Sequence, residues 1–169
     1  WERVYDGPGQ TGGYDEDEAR AIAVDVSGNV YVTGRSTSIN EFDYLTIKYS
    51  PEGSMLWSQR YDGPGNQPGN QGDEPNALTL DANFVYITGQ TINAIGNYEF
   101  ATLKYALEDG QLVWEKRYPG MTGRAIAVDG DGNVYVTGEE YRVDSDIDFA
   151  LVKYAPDGTQ LWIQHYTGP

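Results

Sequence analysis

The sequence contains no cysteine, a single histidine and no long apolar run. The lack of cysteine excludes disulfide bonds, thiolate metal ligands and a cysteine nucleophile, and it fits a reducing cytosol and an exported bacterial protein equally well. No apolar segment approaches the roughly 20 residues that cross a bilayer, so we expect no membrane span. No leader segment with a charged part followed by an apolar part precedes Trp1. Because the chain begins with tryptophan rather than methionine, we expect that residues were removed before Trp1.

Basic residues are also scarce. The 169 residues include 11 lysines and arginines against 26 aspartates and glutamates, for a formal net charge of −15. An acidic chain does not hold phosphate backbones through charge, which argues against a nucleic acid partner. The length allows either one ordinary domain or a few small repeated units.

The chain repeats itself. The letters GNVYVTG begin at Gly28 and again at Gly132, and a variant, NFVYITG, begins at Asn83. Four tryptophans stand 56, 57 and 48 residues apart, and each is followed four positions later by a tyrosine. They are Trp1, Trp57, Trp114 and Trp162. A recurring unit of this length indicates a repeat architecture.

Each unit divides into four runs of β-branched and aromatic residues, separated by turns rich in Gly, Asp, Asn and Pro. Such runs predict short antiparallel strands joined by hairpins. In the first unit the predicted strands are 21–24, 30–33, 44–49 and 55–61. No segment has a helical period, so we predict an all-β fold.

A repeated four-stranded antiparallel unit is typical of a β-propeller blade. We divide the chain into an orphan outer strand of a preceding blade at 1–8, blade 1 at 9–61, blade 2 at 62–118 and blade 3 at 119–169. The four tryptophans are predicted to pack between blades. Since propellers usually have four to eight blades, three give an incomplete ring. Either further blades or identical subunits, as a six-bladed dimer or a filament, would cover the exposed faces.

The segments AIAVDVSGNVYVTG and FDYLTIKYSPEGSMLWSQRY resemble the SBBP-type β-propeller repeat, and the resemblance covers essentially the whole chain. It implies a blade of a large exported bacterial or archaeal protein, acting extracellularly or at the cell surface. It also implies a scaffold or recognition module without a fixed catalytic set. We therefore expect a non-catalytic protein with no cofactor. A self-assembling subunit and a fragment of a polysaccharide-acting enzyme remain alternatives.

Antiparallel order places the connections between second and third strands, and those between blades, at one end of the molecule. These connections hold 16 acidic and 4 basic side chains, most of the net charge. We call this end the acidic rim. It is interpreted either as a solubilising face or as the binding surface for a protein or glycan ligand or for cations.

Two acidic motifs are candidates for weak Ca²⁺ binding, because oxygen ligands at alternate positions are typical of calcium loops. DGDGN supplies Asp129, Asp131 and Asn133, and DSDID supplies Asp144, Asp146 and Asp148. For the first motif a hairpin turn is the competing interpretation, since the equivalent turns of the other repeats lose these ligands. For the second it is a solvated loop end.

Candidates for catalysis are weak. His165 is the only histidine, but its repeat equivalents are Val4, Arg60 and Arg117, so it is predicted to be a strand surface residue. Three lysines, Lys48, Lys104 and Lys153, each follow an acidic residue five positions earlier. A pair that recurs in every repeat predicts a structural contact rather than a reactive group.

Overall fold

The computed structural model describes residues 1–5, 7, 16–38, 42–65, 72–141 and 147–166. Within these ranges the chain forms twelve β-strands and no helix, which confirms the all-β prediction. The strands are β1 (Asp17–Val24), β2 (Val30–Thr37), β3 (Phe42–Tyr49), β4 (Met55–Tyr61), β5 (Glu74–Leu80), β6 (Phe84–Ile92), β7 (Tyr98–Ala106), β8 (Leu112–Pro119), β9 (Thr122–Val128), β10 (Val134–Tyr141), β11 (Ile147–Tyr154) and β12 (Gln160–Tyr166).

The strands form three four-stranded antiparallel sheets, in which consecutive strands are neighbours. We call them blade 1 (β1–β4), blade 2 (β5–β8) and blade 3 (β9–β12). Short hairpins can join only antiparallel neighbours, so this order follows from the short turns read in the sequence. The three sheets do not close into a ring.

The turn from the first to the second strand has the same construction in blades 1 and 3. Gly28 and Gly132 adopt φ values of 83° and 79°, a region that favours glycine. In blade 1 the Gly28 amide donates to the Asp25 carbonyl at 3.0 Å, and the Asp25 amide donates to the Asn29 carbonyl at 3.0 Å. The repeated glycine is therefore a requirement of the turn.

A second glycine lets the first two strands of each blade approach closely. A Cβ at Gly34 would collide with the Glu18 carbonyl oxygen, and one at Gly89 would collide with that of Glu74. Gly138 in blade 3 is in the same situation. The pairing register shifts by one residue beside each of these glycines. This β-bulge brings the backbones too close for a side chain.

Successive side chains of a strand point to opposite sides of the sheet, so each blade has an aromatic face and an aliphatic face. The aromatic face of one blade packs on the aliphatic face of the next. At the first junction the main members are Tyr31, Tyr44, Trp57, Val85, Ile87 and Leu103. At the second they are Tyr86, Phe100, Trp114, Val134, Val136 and Val152. The first strands of neighbouring blades lie beside each other, β1 with β5 and β5 with β9.

The segment 1–8 was predicted to be an outer strand of a preceding blade. The structure describes its residues 1–5 and 7, and none of them lies in a strand. A strand requires a hydrogen-bonded neighbour, and no strand within the described ranges pairs with this segment. No helix within the described ranges is long and apolar enough to cross a membrane.

Candidate functional site

A tryptophan and a lysine join each blade to the next by sharing one carbonyl acceptor. At the first junction Trp57 Nε1 lies 3.2 Å from the carbonyl oxygen of Leu107, and Lys48 Nζ lies 2.6 Å from the same atom. Leu107 belongs to the turn between β7 and β8, so both donors of blade 1 reach into blade 2. We call this contact the carbonyl clamp.

The clamp recurs at the second junction. Trp114 Nε1 and Lys104 Nζ lie 3.1 Å and 2.8 Å from the carbonyl oxygen of Pro156. Burial lowers the pKa of Lys104 below its usual range. Half of a clamp is present on blade 1, where Trp1 Nε1 donates to the Pro51 carbonyl at 2.7 Å.

Glycine makes room for the clamp in each receiving turn. Gly53 and Gly110 adopt φ values of 83° and 74°. A Cβ at Gly53 would lie 2.6 Å from the ring of Trp1, and one at Gly110 would lie 2.8 Å from the ring of Trp57. The turn therefore needs glycine both for its backbone conformation and for the indole that covers it.

The outer face of blade 3 carries the same donors without an acceptor turn in the described part of the chain. Lys153 Nζ stands 4.8 Å from the Tyr135 ring centroid, and Trp162 packs against the same ring. Phe149 and Tyr166 stack with ring centroids 5.0 Å apart. These two aromatics are 51% and 54% exposed.

The aromatic pairs at the equivalent positions of the other blades are buried. Tyr44 and Tyr61 pack edge to face between blades 1 and 2, and Phe100 and Tyr118 do so between blades 2 and 3. All four are less than one tenth exposed. The exposure of the blade 3 pair therefore reflects that no blade in the described part of the chain covers it, and not a change of residue type.

The opposite end of the array has an apolar groove of about 370 Å³ on the aliphatic face of blade 1. Val32, Leu45, Ile47, Trp1 and Tyr5 are among the residues that line it. This face corresponds to the aliphatic faces that blades 2 and 3 turn toward the preceding blade. The groove is thus an uncovered aliphatic face, and blade 3 carries an uncovered aromatic face. These are the two kinds of face that pack together at the junctions between blades.

The structure places the predicted DGDGN ligands in a hydrogen-bonded turn. The Asp129 carboxylate accepts from the Asn133 side-chain amide at 2.9 Å, from Tyr135 OH at 2.9 Å and from the backbone amides of Asp131 and Asn133. The Asn133 bond and these others lower the pKa of Asp129 to about 2. Asp25 and Asp81 hold the turns of blades 1 and 2 in the same way. Asp129 thus makes a turn contact that recurs in every blade.

Of the second predicted motif only Asp148 lies within the described residues. It pairs with Glu140 across the β10–β11 ladder. Asp144 and Asp146 fall outside the described ranges, so calcium binding by this motif stays a prediction.

His165 lies on the surface, where Nδ1 is 2.6 Å from Glu140 Oε2. The equivalent residue in blade 1, Arg60, contacts Asp43 at 3.0 Å. In blade 2 Arg117 contacts Glu115 at 3.1 Å. A basic side chain beside an acid therefore recurs at this strand position in all three blades.

At the acidic rim, Arg35 bridges blades 1 and 2. Its guanidinium lies 2.8 Å from Glu74 of β5, 3.0 Å from Glu18 and 3.5 Å from Glu16. Arg20 adds a contact to Glu18 at 3.1 Å. These bridges neutralise part of the negative charge, and Glu16 and Glu18 keep about half of their side-chain surface exposed.

Sequence reasoning missed one cluster at this rim. Asp43, Asp62 and Asp73 each place a carboxylate oxygen within 4.8 Å of the others. Asp43 is the second residue of β3, and Asp62 directly follows the end of β4. The pairing of Tyr44 with Tyr61 implies that Asp43 and Asp62 stand opposite, and this predictable register was the available signal.

Comparisons with known proteins agree with this architecture. A thermostable family-43 glycoside hydrolase superposes on 98% of this chain and 57% of its own, with 14% identity and a TM-score of 0.53. A mutant apocarotenoid oxygenase of Synechocystis superposes on 95% of this chain and 40% of its own, with 11% identity and a TM-score of 0.50. Likenesses at these identities show the fold alone, which is of the propeller type.

The chain spans between about a third and three fifths of the length of the first solved structures that it matches. No curated protein sequence matches it significantly. The profile of the family described as Beta-propeller repeat (SBBP) matches residues 9–43 and 117–139. These two segments confirm the resemblance noted in the sequence. Over them the chain is similar to the SBBP family of β-propeller repeats.

Proposed function

We propose that this chain is a non-catalytic β-propeller scaffold module of an exported bacterial or archaeal protein, and that its end faces bind further blades of the same kind. The observation that carries the proposal is the exposed pair of Phe149 and Tyr166 on blade 3. The same pair is buried by the next blade at both internal junctions. An exposed apolar surface that is buried wherever a neighbour is present is a binding surface for that neighbour.

The polar groups of the two end faces also favour binding of a further blade of the same kind. Lys153 and Trp162 occupy the positions of the clamp donors, so a partner that offers a turn carbonyl and a turn glycine would fit at that place. Pro51 and Gly53 of blade 1 form such a turn, which Trp1 covers. A docking blade would therefore displace Trp1 from the blade 1 turn and fill the adjacent groove.

The non-catalytic part of the proposal rests on recurrence. The clamp lysines and the turn aspartates make equivalent contacts in successive blades, so each has a structural task that is independent of any substrate. A reactive group would instead need a partner and an environment that single it out.

Sedimentation equilibrium over a wide concentration range tests blade docking, because the chain itself supplies blades of the same kind. We expect association beyond the monomer mass, weakened by Phe149→Asp and strengthened by removal of residues 1–5. Val26→Asp is the matched control, since Val26 is fully exposed in the turn between β1 and β2. A strict monomer at every concentration, or equal weakening by both substitutions, would contradict the proposal. A closed dimer or an open ladder of sizes would show that the subunit assembles by itself.

A second candidate function is recognition of a protein or glycan ligand at the acidic rim. Tyr141 favours it, since this aromatic at the end of β10 is 56% exposed beside the acidic Glu139 and Glu140. Such a mixture is typical of sugar-binding surfaces and protein interfaces. A glycan array probed with the wild type and Tyr141→Ala tests the glycan arm. Binding lost in the variant supports it, whereas release of sugar from a bound polysaccharide would favour the enzyme alternative.

A further inference from the structure

The carboxylates of Asp43, Asp62 and Asp73 meet where blade 1 passes into blade 2. Asp43 is the second residue of β3, Asp62 follows β4, and Asp73 directly precedes β5. The Asp73 backbone amide donates to the Phe42 carbonyl at 2.6 Å, which fastens the start of blade 2 to blade 1. One oxygen from each carboxylate lies within 4.8 Å of the other two.

Asp43 supplies an observation that does not depend on this grouping. Its side chain is 2% exposed, and Oδ2 lies 3.0 Å from Arg60 Nη1. Arg60 and Ser38 both favour its charged form. Even so, the buried Oδ1 atom has no hydrogen-bond partner. A buried carboxylate oxygen without a donor is costly, and a bound cation is one way in which proteins satisfy it.

Asp73 is fixed in place by its neighbours. Its Oδ1 accepts from Thr91 Oγ1 at 2.6 Å, and its Oδ2 accepts from the Gly63 backbone amide. Burial raises the pKa of Asp73 to about 6, and the neighbouring Asp43 contributes in the same direction. Burial also raises the pKa of Asp43, with a contribution from Asp62. The three carboxylates therefore repel one another in a partly buried place.

Charge and ligand type together indicate the species that fits. Three carboxylates and the Arg60 guanidinium leave two negative charges, which a divalent cation would balance. Ca²⁺ takes carboxylate oxygens in a flexible geometry, whereas Mg²⁺ demands near-ideal octahedral geometry and gives up its water reluctantly. We therefore expect Ca²⁺ rather than Mg²⁺. Exposed Asp62 gives an ion access from solvent.

We propose that Asp43, Asp62 and Asp73 form a Ca²⁺ site that ties blade 1 to the start of blade 2. The site is distinct from the two motifs that the sequence suggested for calcium. Water and backbone carbonyls would complete the coordination, as they do in other oxygen-ligand calcium sites.

The second junction shows that these acids are not required to join blades. By strand register, Glu99, Pro119 and Met121 occupy the positions of Asp43, Asp62 and Asp73. Two of the three carboxylates are thus replaced, yet the same strand pairing and carbonyl clamp are present. Joining two blades therefore does not require the complete cluster of three carboxylates.

Isothermal titration of the whole chelator-treated chain with CaCl₂, with MgCl₂ in a parallel experiment, tests the site. We expect one Ca²⁺ per chain, weaker Mg²⁺ binding, and a rise in melting temperature with Ca²⁺ because the ion binds the folded state. Asp62→Asn should weaken Ca²⁺ binding about tenfold or more, since affinity follows the number of charged ligands. Asp62 is exposed, so this variant is expected to fold.

Asp131→Asn and Asp148→Asn are the matched controls, because each removes one acid from a motif that the sequence suggested. Both should bind Ca²⁺ as the wild type does. The proposal is overturned if the wild type takes up no Ca²⁺, or if binding survives Asp62→Asn unchanged. Loss of binding in a control variant with retention in Asp62→Asn would assign the ion to that other motif.

Discussion

The tryptophan and the lysine of each carbonyl clamp donate hydrogen bonds to one backbone carbonyl of the neighbouring blade. Trp57 and Lys48 each donate one hydrogen to Leu107, and the apolar remainder of both side chains covers the junction. Lys48 Nζ also lies 5.3 Å from the Tyr31 ring centroid. A lysine is tolerated in this buried position because its charge meets a carbonyl and an aromatic face.

Trp114→Phe should show what the indole nitrogen contributes to the second junction. Phenylalanine keeps an aromatic ring but donates no hydrogen bond to Pro156, so we expect a loss of about 1–2 kcal/mol in the free energy of unfolding. Trp162→Phe is the control, because this indole has no clamp acceptor among the residues that the structure describes, and should change stability by about 0.5 kcal/mol or less. Urea denaturation measures both. Equal losses in the two variants would show that the clamp hydrogen bond adds nothing.

Asp129 should contribute to stability in a pH-dependent way. Its pKa in the folded chain is about 2 and lies below the usual value near 3.9. Its stabilising effect is therefore complete above about pH 4 and is lost as the pH falls through 2. We expect Asp129→Asn to lower the melting temperature at pH 7, with the difference from wild type narrowing toward pH 2. Asp131→Asn should have little effect at any pH. A difference for Asp129→Asn that is constant with pH would refute this role.

At the scale of strands, the repeat is encoded largely by local sequence. The turn residues and the alternation of apolar residues define four strands per unit, and each of the four strands predicted for the first unit is present. The first strand was expected at 21–24 but extends over Asp17–Val24. Its early residues are polar and exposed, so no apolar pattern marks them. They are ordered by backbone pairing with β2 and by the ion pairs of Arg35.

The acidic cluster could not be predicted in the same way. Asp43 and Asp73 belong to different blades and meet only because one blade packs on the next. In the sequence, Asp43 is one of three acidic residues that each stand five positions before a lysine. In the structure an odd spacing puts Asp43 and Lys48 on opposite faces of β3, so each makes a separate contact. Packing between elements, rather than local pattern, determines which acids become neighbours.

Gly89→Ala tests the close approach of β5 and β6. The added Cβ would collide with the Glu74 carbonyl oxygen, and backbone cannot move aside as a side chain can. We expect a loss of about 1–3 kcal/mol in the free energy of unfolding. Gly130→Ala is the control, because a Cβ there meets nothing within 4 Å, and should change stability by about 0.5 kcal/mol or less. A stable Gly89→Ala variant would show that the bulge has room for a side chain.

At the scale of the whole molecule, the three blades form an open array with two unlike end faces. One end carries the groove beside Trp1, and the other carries exposed aromatics and two clamp donors. An array with unlike ends associates head to tail, which closes a ring only if the rotation per blade allows it. The central claim concerns the tryptophans: those of blades 1 and 2 bind a turn carbonyl of the next blade, whereas Trp162 of blade 3 has no such carbonyl in the described part of the chain.

Hydrogen exchange of the four tryptophan indoles measures this claim most directly. In a dilute chain labelled with ¹⁵N-tryptophan, the Nε1 hydrogens of Trp57 and Trp114 should exchange slowly, because both are buried and bound to carbonyls. The Nε1 hydrogen of Trp162 should exchange rapidly and become protected only when a further blade docks. Protection of Trp162 equal to that of Trp57 and Trp114 in the monomer, or rapid exchange of all three, would contradict the account.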